Sequence, residues 1–405
     1  MSDTFKAVRI TDRIYWVGAI DWSVRDFHGY LTQRGTTYNA FLVLAEKITL
    51  IDTVKAPFME EMMMRIASVI DPSKIDLIIS NHAEMDHSGS LPATIERVRP
   101  EKVYASTMGV KALARHFHQL KGVEAVKDGQ SLDLGGDLSV TFMETRMLHW
   151  PDSMFSFIPE EGVLFAQDGF GMHLASHERF ADELPRDILQ FEAEKYYANI
   201  LMLYAPQTER LFRKVSEAGL SFPIIAPDHG PIWRGDDVDW ILGKYSEWTQ
   251  RKGSDRALVV YETMWGSTDL MARAIGEGIS STGAKVSLMP LKGNHRSDIM
   301  THLLTAGALV LGSPTLNNNV FPAIMDLMTY VRGLKPKNLI GAAFGSYGWS
   351  GEAPNQLSAI FDEMKIEQIG SPLRIQYVPS TEDLALCRNF GETIGKALLE
   401  RHSSS

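Results

Sequence analysis

Two rhythms of apolar and polar positions divide the chain. From residue 257 onward, apolar runs bounded by turn residues alternate with stretches whose apolar side chains recur every three or four positions. Strands are expected at 257–261, 285–291, 308–311, 339–344 and 373–378, and helices at 269–281, 298–305, 322–332, 355–364 and 381–402. Such repetition builds an open, doubly wound parallel sheet covered by helices. Upstream the rhythm is shorter. Strands at 14–17, 39–44 and 48–52 arrive before any long helix, so hairpins dominate there. Further strands at 77–80, 103–105, 138–144, 155–158, 163–166 and 224–226 are interspersed with helices near 57–70 and 111–117, a mixed α/β layer arrangement. Between the two rhythms, an amphipathic helix carrying Trp240, Ile241, Tyr245 and Trp248 runs into the polar stretch Thr249-Gln250-Arg251-Lys252-Gly253-Ser254-Asp255. A boundary belongs there, giving one domain over residues 1–251 and a second over 255–405.

Composition narrows the function classes. At roughly 150 residues per domain, 405 residues make two or three domains, and 44% hydrophobic with 22% charged residues is the make-up of a folded protein. The longest apolar runs, at 40–44 and 308–311, are far short of the ~20 residues of a membrane-spanning helix. The start of the sequence has no basic patch leading into an apolar stretch, so no secretory signal is read and a cytoplasmic location without a membrane partner is expected. The closing Ser403-Ser404-Ser405 reads as a frayed end. Cys387 is the only cysteine, which excludes internal disulfides, Cys-ligated zinc fingers and a Cys-ligated iron–sulfur cluster. A net charge of −10 argues against a nucleic-acid partner.

Candidate chemistry in the first domain gathers behind predicted strands. After the run 75–80 comes Asn81-His82-Ala83-Glu84-Met85-Asp86-His87. If this segment stays extended, His82, Glu84 and Asp86 share one side of the backbone and His87 points elsewhere. Three more strand ends carry the same residue types: His149 in Met147-Leu148-His149-Trp150-Pro151-Asp152, Asp168 in Phe165-Ala166-Gln167-Asp168-Gly169, and His229 in Ala226-Pro227-Asp228-His229-Gly230-Pro231. Each residue singly reads as a loop or cap residue. Together they resemble the metallo-β-lactamase superfamily, an αββα sandwich with two metals at strand ends, whose zinc members usually have His where this chain has Glu84. Three carboxylates, Glu84, Asp86 and Asp168, against two divalent cations and one bridging hydroxide make a neutral site, which is less costly to bury. Carboxylate and imidazole without thiolate suit iron or manganese, and metals ~3.5–4 Å apart leave room for a diatomic molecule.

The second domain offers three turns at the carboxyl ends of predicted strands, where doubly wound sheets bind ligands. They are Thr263-Met264-Trp265-Gly266-Ser267-Thr268; Ser313-Pro314-Thr315 with Asn317-Asn318-Asn319; and Ser346-Tyr347-Gly348-Trp349-Ser350-Gly351. The first sits at a helix N-terminus, where backbone N–H groups cradle phosphate, and Trp265, Tyr347 and Trp349 offer flat surfaces to an aromatic ring system. The domain resembles flavodoxin, with strand order 2-1-3-4-5 and FMN as ligand. By contrast, Gly276-Glu277-Gly278 with Gly283 imitates a dinucleotide fingerprint but falls inside a helix.

A metallo-β-lactamase-like domain with Glu in the ligand run, joined to a flavodoxin-like domain, resembles the flavodiiron proteins over essentially the whole chain. Gly18-Ala19-Ile20-Asp21-Trp22, Arg25-Asp26-Phe27-His28-Gly29-Tyr30, Arg146 to Ser153 and Gly345 to Gly351 point to the stand-alone, rubredoxin-dependent members of that family. The resemblance implies that His82, Glu84 and His149 hold one iron, that Asp86 and His229 hold the other, and that Asp168 and an oxo or hydroxo group bridge them. His87 is then a weak ligand or stands behind the ligands. It also implies that FMN passes electrons to the irons, which reduce dioxygen to water or nitric oxide to nitrous oxide. A separate rubredoxin-like donor and a head-to-tail homodimer follow from the same resemblance. His28 and Tyr197, with His173 behind them, are the candidates for pocket donors beside the irons. Two rival readings are a zinc hydrolase with a flavodoxin-like appendage, against which Glu84 weighs, and a pure electron-transfer or binding protein, against which the complete ligand set weighs.

Overall fold

The computed structural model describes residues 4–403; Ser404 and Ser405 of the expected frayed end, and the first three residues of the expected leaderless start, lie outside them. Contacts divide the chain into two compact units. One comprises the residues up to His28, Thr32–Tyr196 and Tyr204–Ser246; the other comprises Gly29–Leu31, Tyr197–Leu203 and the chain from Glu247 on.

In the first unit, a seven-stranded sheet runs Val8–Arg9, Ile14–Trp16, Phe41–Val43, Thr49–Ile51, Leu77–Ser80, Lys102–Ser106 and Val123–Val126. A six-stranded sheet runs Ser131–Gly135, Leu138–Glu144, Met154–Ile158, Val163–Phe165, Ile224–Ala226 and Trp233–Arg234. The strands of the first sheet alternate between two apolar layers. Phe41, Ile51 and Ile79 pack with Phe142, Ile158 and Phe165 of the second sheet, while Leu42, Leu50 and Ile78 turn the other way, onto Met62, Met63 and Ile66 of the helix Met59–Ala67. Period-two alternation with both faces buried forces this sheet into the middle of a layered stack. The helix expected at 57–70 starts instead as a short 3₁₀ turn, Ala56–Phe58, becomes α-helical at Met59 and ends at Ala67.

In the second unit the strands run Lys285–Pro290, Arg256–Tyr261, Ala308–Gly312 and Ile340–Tyr347, the last paired with both Glu367–Gln368 and Leu373–Gln376, all parallel. That is the 2-1-3-4-5 order of flavodoxin. The strand expected over 373–378 stops at Gln376, because Tyr377 turns to φ +57°. Gly276 and Gly278 lie within the helix Ser267–Ser280, and they serve packing rather than a dinucleotide. A Cβ on Gly278 meets the Arg388 carbonyl at 1.9 Å, and one on Gly391 meets the Ile275 carbonyl at 2.1 Å, so this helix and the helix Thr381–Ser403 touch backbone to backbone. Leu31 and Asn199, from the two short segments that join this unit, bond to Ser297 Oγ and the Ser297 carbonyl at 3.2 and 3.0 Å. No helix among the described residues is long and apolar enough to cross a membrane.

Candidate metal centre and flavin cleft

Each candidate ligand of the first unit leaves the end of a strand. His82 and Glu84 follow Leu77–Ser80, His149 follows Leu138–Glu144, Asp168 follows Val163–Phe165, and His229 follows Ile224–Ala226. Strand ends are where a layered fold has backbone to spare for loops, and four loops converge here. The ligand atoms of His82, Glu84, His149 and Asp168 all lie within 4.8 Å of one another, and so do those of Asp86, His87 and His229. Asp168 joins the two groups. Its Oδ2 lies 3.2 Å from His82 Nε2 and 2.9 Å from His149 Nε2, while its Oδ1 lies 3.2 Å from His87 Nε2 and 3.5 Å from His229 Nε2. Glu84 Oε2 faces His149 and His82 at 3.2 and 3.4 Å, and Asp86 faces His229 and His87 at 3.1 and 3.4 Å.

The run 82–87 is not extended as expected. Glu84 caps a short helix, Met85–Ser88, so Asp86 and His87 follow each other around a turn and flank the same point. His87 therefore points into the cluster, not away from it. The geometry suits cations. His82 Nδ1 faces Asp152 Oδ2 at 2.9 Å and His229 Nδ1 faces the Thr37 carbonyl at 2.6 Å, so each ring keeps its N–H on the outside and aims the Nε2 lone pair inward. Among the described residues, His82 Nε2, His87 Nε2, Asp86 Oδ1 and Asp168 Oδ2 are buried without a hydrogen-bond partner. Four imidazoles and three carboxylates facing a common space fit two metal ions of the iron type. They also answer one another: burial pushes the Asp168 carboxyl up, but His87, His149 and His82 outweigh it and hold it well below the usual range. Burial likewise raises Glu84 and Asp86, and the facing histidines bring both down to about 2.

The pocket candidates separate. His28 is mostly exposed, with Nε2 3.6 Å from Glu84 Oε1. His173 is fully buried behind His229, ring to ring at 4.7 Å, with Nδ1 2.9 Å from Thr36 Oγ1; burial and His229 push it well below the usual imidazole range, so it stays neutral. Tyr197 belongs to the second unit and packs its ring on Trp248. The hydroxyl that donates to Asp168 Oδ1, at 2.9 Å, is that of the neighbouring Tyr196. The helix Arg186–Tyr196 ends between the two, and Tyr197 opens a wide turn of its own.

In the second unit the three turns enclose a cleft of about 510 Å³ lined by Met264, Trp265, Ser267, Pro314, Thr315, Asn317, Asn318, Ser346, Tyr347, Gly348, Trp349 and Ser350. The remaining expected residues shape its walls from behind. Thr263 Oγ1 accepts the Gly266 N–H, Thr268 bonds Ser346, Ser313 Oγ accepts the Phe321 N–H, Asn319 bonds the Asn317 carbonyl, and Gly351 turns at φ +75° against the Tyr347 ring. Leu316, Tyr377 and Val378 also line the cleft and have no counterpart in the sequence reading. Trp265 and Trp349 are 95% and 83% exposed. Indoles left so open around a cleft of cofactor size suit a planar ring system, and the N-terminus of the helix Ser267–Ser280 suits a phosphate, so FMN fits.

Fold and site together define a redox protein that pairs a two-metal carboxylate–histidine centre with a flavin cleft. Residues 36–230 match the family model described as ODP family beta lactamase, and residues 259–391 match flavodoxin. The chain is 45% identical to a rubredoxin-oxygen oxidoreductase of Megalodesulfovibrio gigas, over 97% of this chain and 98% of that one. It is 41% identical to a nitric oxide reductase of Moorella thermoacetica, over 97% and 99%. The crystal structure of the flavodiiron protein from Giardia intestinalis superposes with a TM-score of 0.95 at 31% identity, covering 100% of this chain and 99% of that one. The chain belongs to the flavodiiron protein family.

Proposed function

We propose that this chain takes electrons from a rubredoxin-type donor and reduces dioxygen to water, nitric oxide to nitrous oxide, or both. The observation that carries the reading is Asp168, whose two oxygens face two separate histidine–carboxylate groups. When bound, FMN supplies the electrons and two irons supply the redox chemistry. The chain supplies the rest. His82, Glu84 and His149 would hold one ion, Asp86 and His229 the other with His87 beside them, and Asp168 would serve both. Tyr196 is pushed well above the usual phenol range, by burial and then by Asp168, so it keeps its proton and holds Asp168 Oδ1 in place. Glu84 and His149 are the ligands that reach solvent, at 12% and 16% side-chain exposure, so the gas enters on their side. His28 stands at that mouth beside Glu84, and we assign proton delivery to it. Trp265, Tyr347 and Trp349 hold the flavin ring, and the turn before Ser267 holds its phosphate. A head-to-tail homodimer and a cytoplasmic location complete the proposal, supported by the family resemblance.

Metal and flavin content of the purified protein, followed by anaerobic reduction and stopped-flow mixing with dioxygen and separately with nitric oxide, tests this reading. Two irons and one FMN per chain with rapid reoxidation by either gas are expected. Zinc in their place, or a reduced protein inert to both gases, returns the zinc-hydrolase reading to first place.

A further inference from the structure

One residue touches three of the four loops that carry the metal ligands without being a ligand itself. Gln167 is fully buried. Its side-chain carbonyl accepts the N–H of Asp168 at 2.7 Å, its side-chain amide donates to the carbonyl of Leu148, directly before His149, and its own backbone carbonyl accepts the N–H of Asp228, directly before His229, at 2.7 Å. Its backbone sits at φ +40°, in the left-handed region that a long side chain rarely adopts. From the geometry we infer that Gln167 is a positioning residue whose side chain sets the orientation of the bridging Asp168 and its spacing from the His149 loop.

Only an amide does both side-chain tasks at once. It presents an acceptor to the Asp168 N–H and a donor to the Leu148 carbonyl, and each group, buried without a partner, is costly. A glutamate keeps the acceptor but turns a second oxygen on the Leu148 carbonyl. A methionine keeps the volume and loses both bonds. Because Asp168 serves two groups with opposite oxygens, a small rotation of its peptide plane lengthens one set of contacts as it shortens the other. The fourth loop is fixed independently, since Asp52 accepts both the backbone and side-chain N–H groups of Asn81, just before His82, at 2.7 and 2.8 Å. Gln167 thus governs the bridge and not the whole cluster.

The inference rests on reading the cluster as a two-iron site. The test compares Gln167→Met and Gln167→Glu with the unaltered holoprotein in three respects: the rate at which a chelator strips iron, the magnetic coupling between the irons in the half-reduced state, and FMN content. Expected are iron loss ~10–100-fold faster for Gln167→Met, a smaller acceleration for Gln167→Glu, which keeps the Asp168 bond, altered coupling in both, and unchanged FMN. Unchanged iron loss and coupling in both variants overturn the inference. So does faster loss with native coupling in the iron that stays, because that outcome marks plain destabilisation rather than a displaced bridge. Unaltered protein without a coupled iron pair defeats the two-iron reading itself, a failure visible before any variant is made.

Discussion

Replacing Asp152 with asparagine isolates what a buried charge behind a ligand contributes to metal binding. Asp152 is not a ligand. Its Oδ2 accepts from His82 Nδ1 at 2.9 Å and from the Ala83 N–H at 2.7 Å, and its side chain is 3% exposed. Burial pushes its carboxyl up, but the bond to His82 and the backbone N–H of Ala83 hold it below the usual range, so it stands as a carboxylate. Asparagine keeps the size and one acceptor oxygen and loses the charge. A hydrogen bond to a charged group is worth ~1.5–3 kcal/mol and a neutral one about 1 kcal/mol, so the exchange removes ~0.5–2 kcal/mol of the force that fixes the tautomer and tilt of His82. At 1.4 kcal/mol per tenfold, this corresponds to iron binding weaker by ~2–30-fold. The assay is an anaerobic competition between the protein and a chelator of known affinity, with Asp71→Asn as control: Asp71 also accepts a backbone N–H, from Ser73, but in an exposed turn away from the cluster. Affinity equal to that of the unaltered protein would refute the reasoning, because it would mean that the loop packing alone, without the charge, orients His82.

Three further outcomes follow from particular contacts. Trp349→Ala removes an exposed indole from the cleft wall, and FMN affinity measured by fluorescence quenching is expected to fall ~3–10-fold, the ~0.5–1.5 kcal/mol of an aromatic contact, with iron content unchanged. Gly278→Ala sets a Cβ 1.9 Å from the Arg388 carbonyl, so the helices Ser267–Ser280 and Thr381–Ser403 must part; a loss of ~1–3 kcal/mol is expected in thermal or urea unfolding followed by flavin fluorescence. Burial and then Asp383 push the Cys387 thiol up to about 12. A raised pKa of this kind contributes stability that is present below the usual thiol range and lost as pH rises through the folded value. Unfolding free energy is therefore expected to decline between about pH 9 and 12 and to decline less in Cys387→Ala, while a thiol reagent at neutral pH leaves the folded protein unmodified.

The second unit was readable from sequence because parallel strands buried on both faces leave uninterrupted apolar runs such as Ala308–Gly312, and each run is set off from the next by a helix with its own period. The short strand Glu367–Gln368 and the hairpin Thr315–Leu316 with Asn319–Val320 were not anticipated, and an element end was misplaced at Tyr377, where the change to positive φ leaves no mark in the apolar pattern but brings Tyr377 and Val378 onto the cleft. The first unit was harder. The strands Ile14–Trp16 and Phe41–Val43 lie within the spans expected for them, but the helix Leu91–Val98 and the strands Val123–Val126 and Ser131–Gly135 have no counterpart in the sequence reading, and the layered arrangement depends on Leu42, Leu50 and Ile78 facing one layer of side chains while their neighbours face another.

At the metal centre, local chemistry was legible and orientation was not. The ligand types at four strand ends are visible as residues, and the structure brings them to one place. What the sequence reading missed depends on rotation or on distance along the chain. In an extended segment Asp86 and His87 point to opposite sides, whereas in the turn of Met85–Ser88 they are neighbours, and only the backbone decides between these cases. One position separates Tyr196 from Tyr197, yet the end of a helix between them sends the first to Asp168 and the second to Trp248. Asp152 reaches His82 across 70 residues and Gln167 reaches Leu148 across 19, with no spacing rule to announce either pair. The ligands of a metal site are constrained by the metal and so keep a recognisable set of residue types. The residues that aim them answer only to whichever loop comes to lie beside them, and for that reason they become visible only in the folded chain.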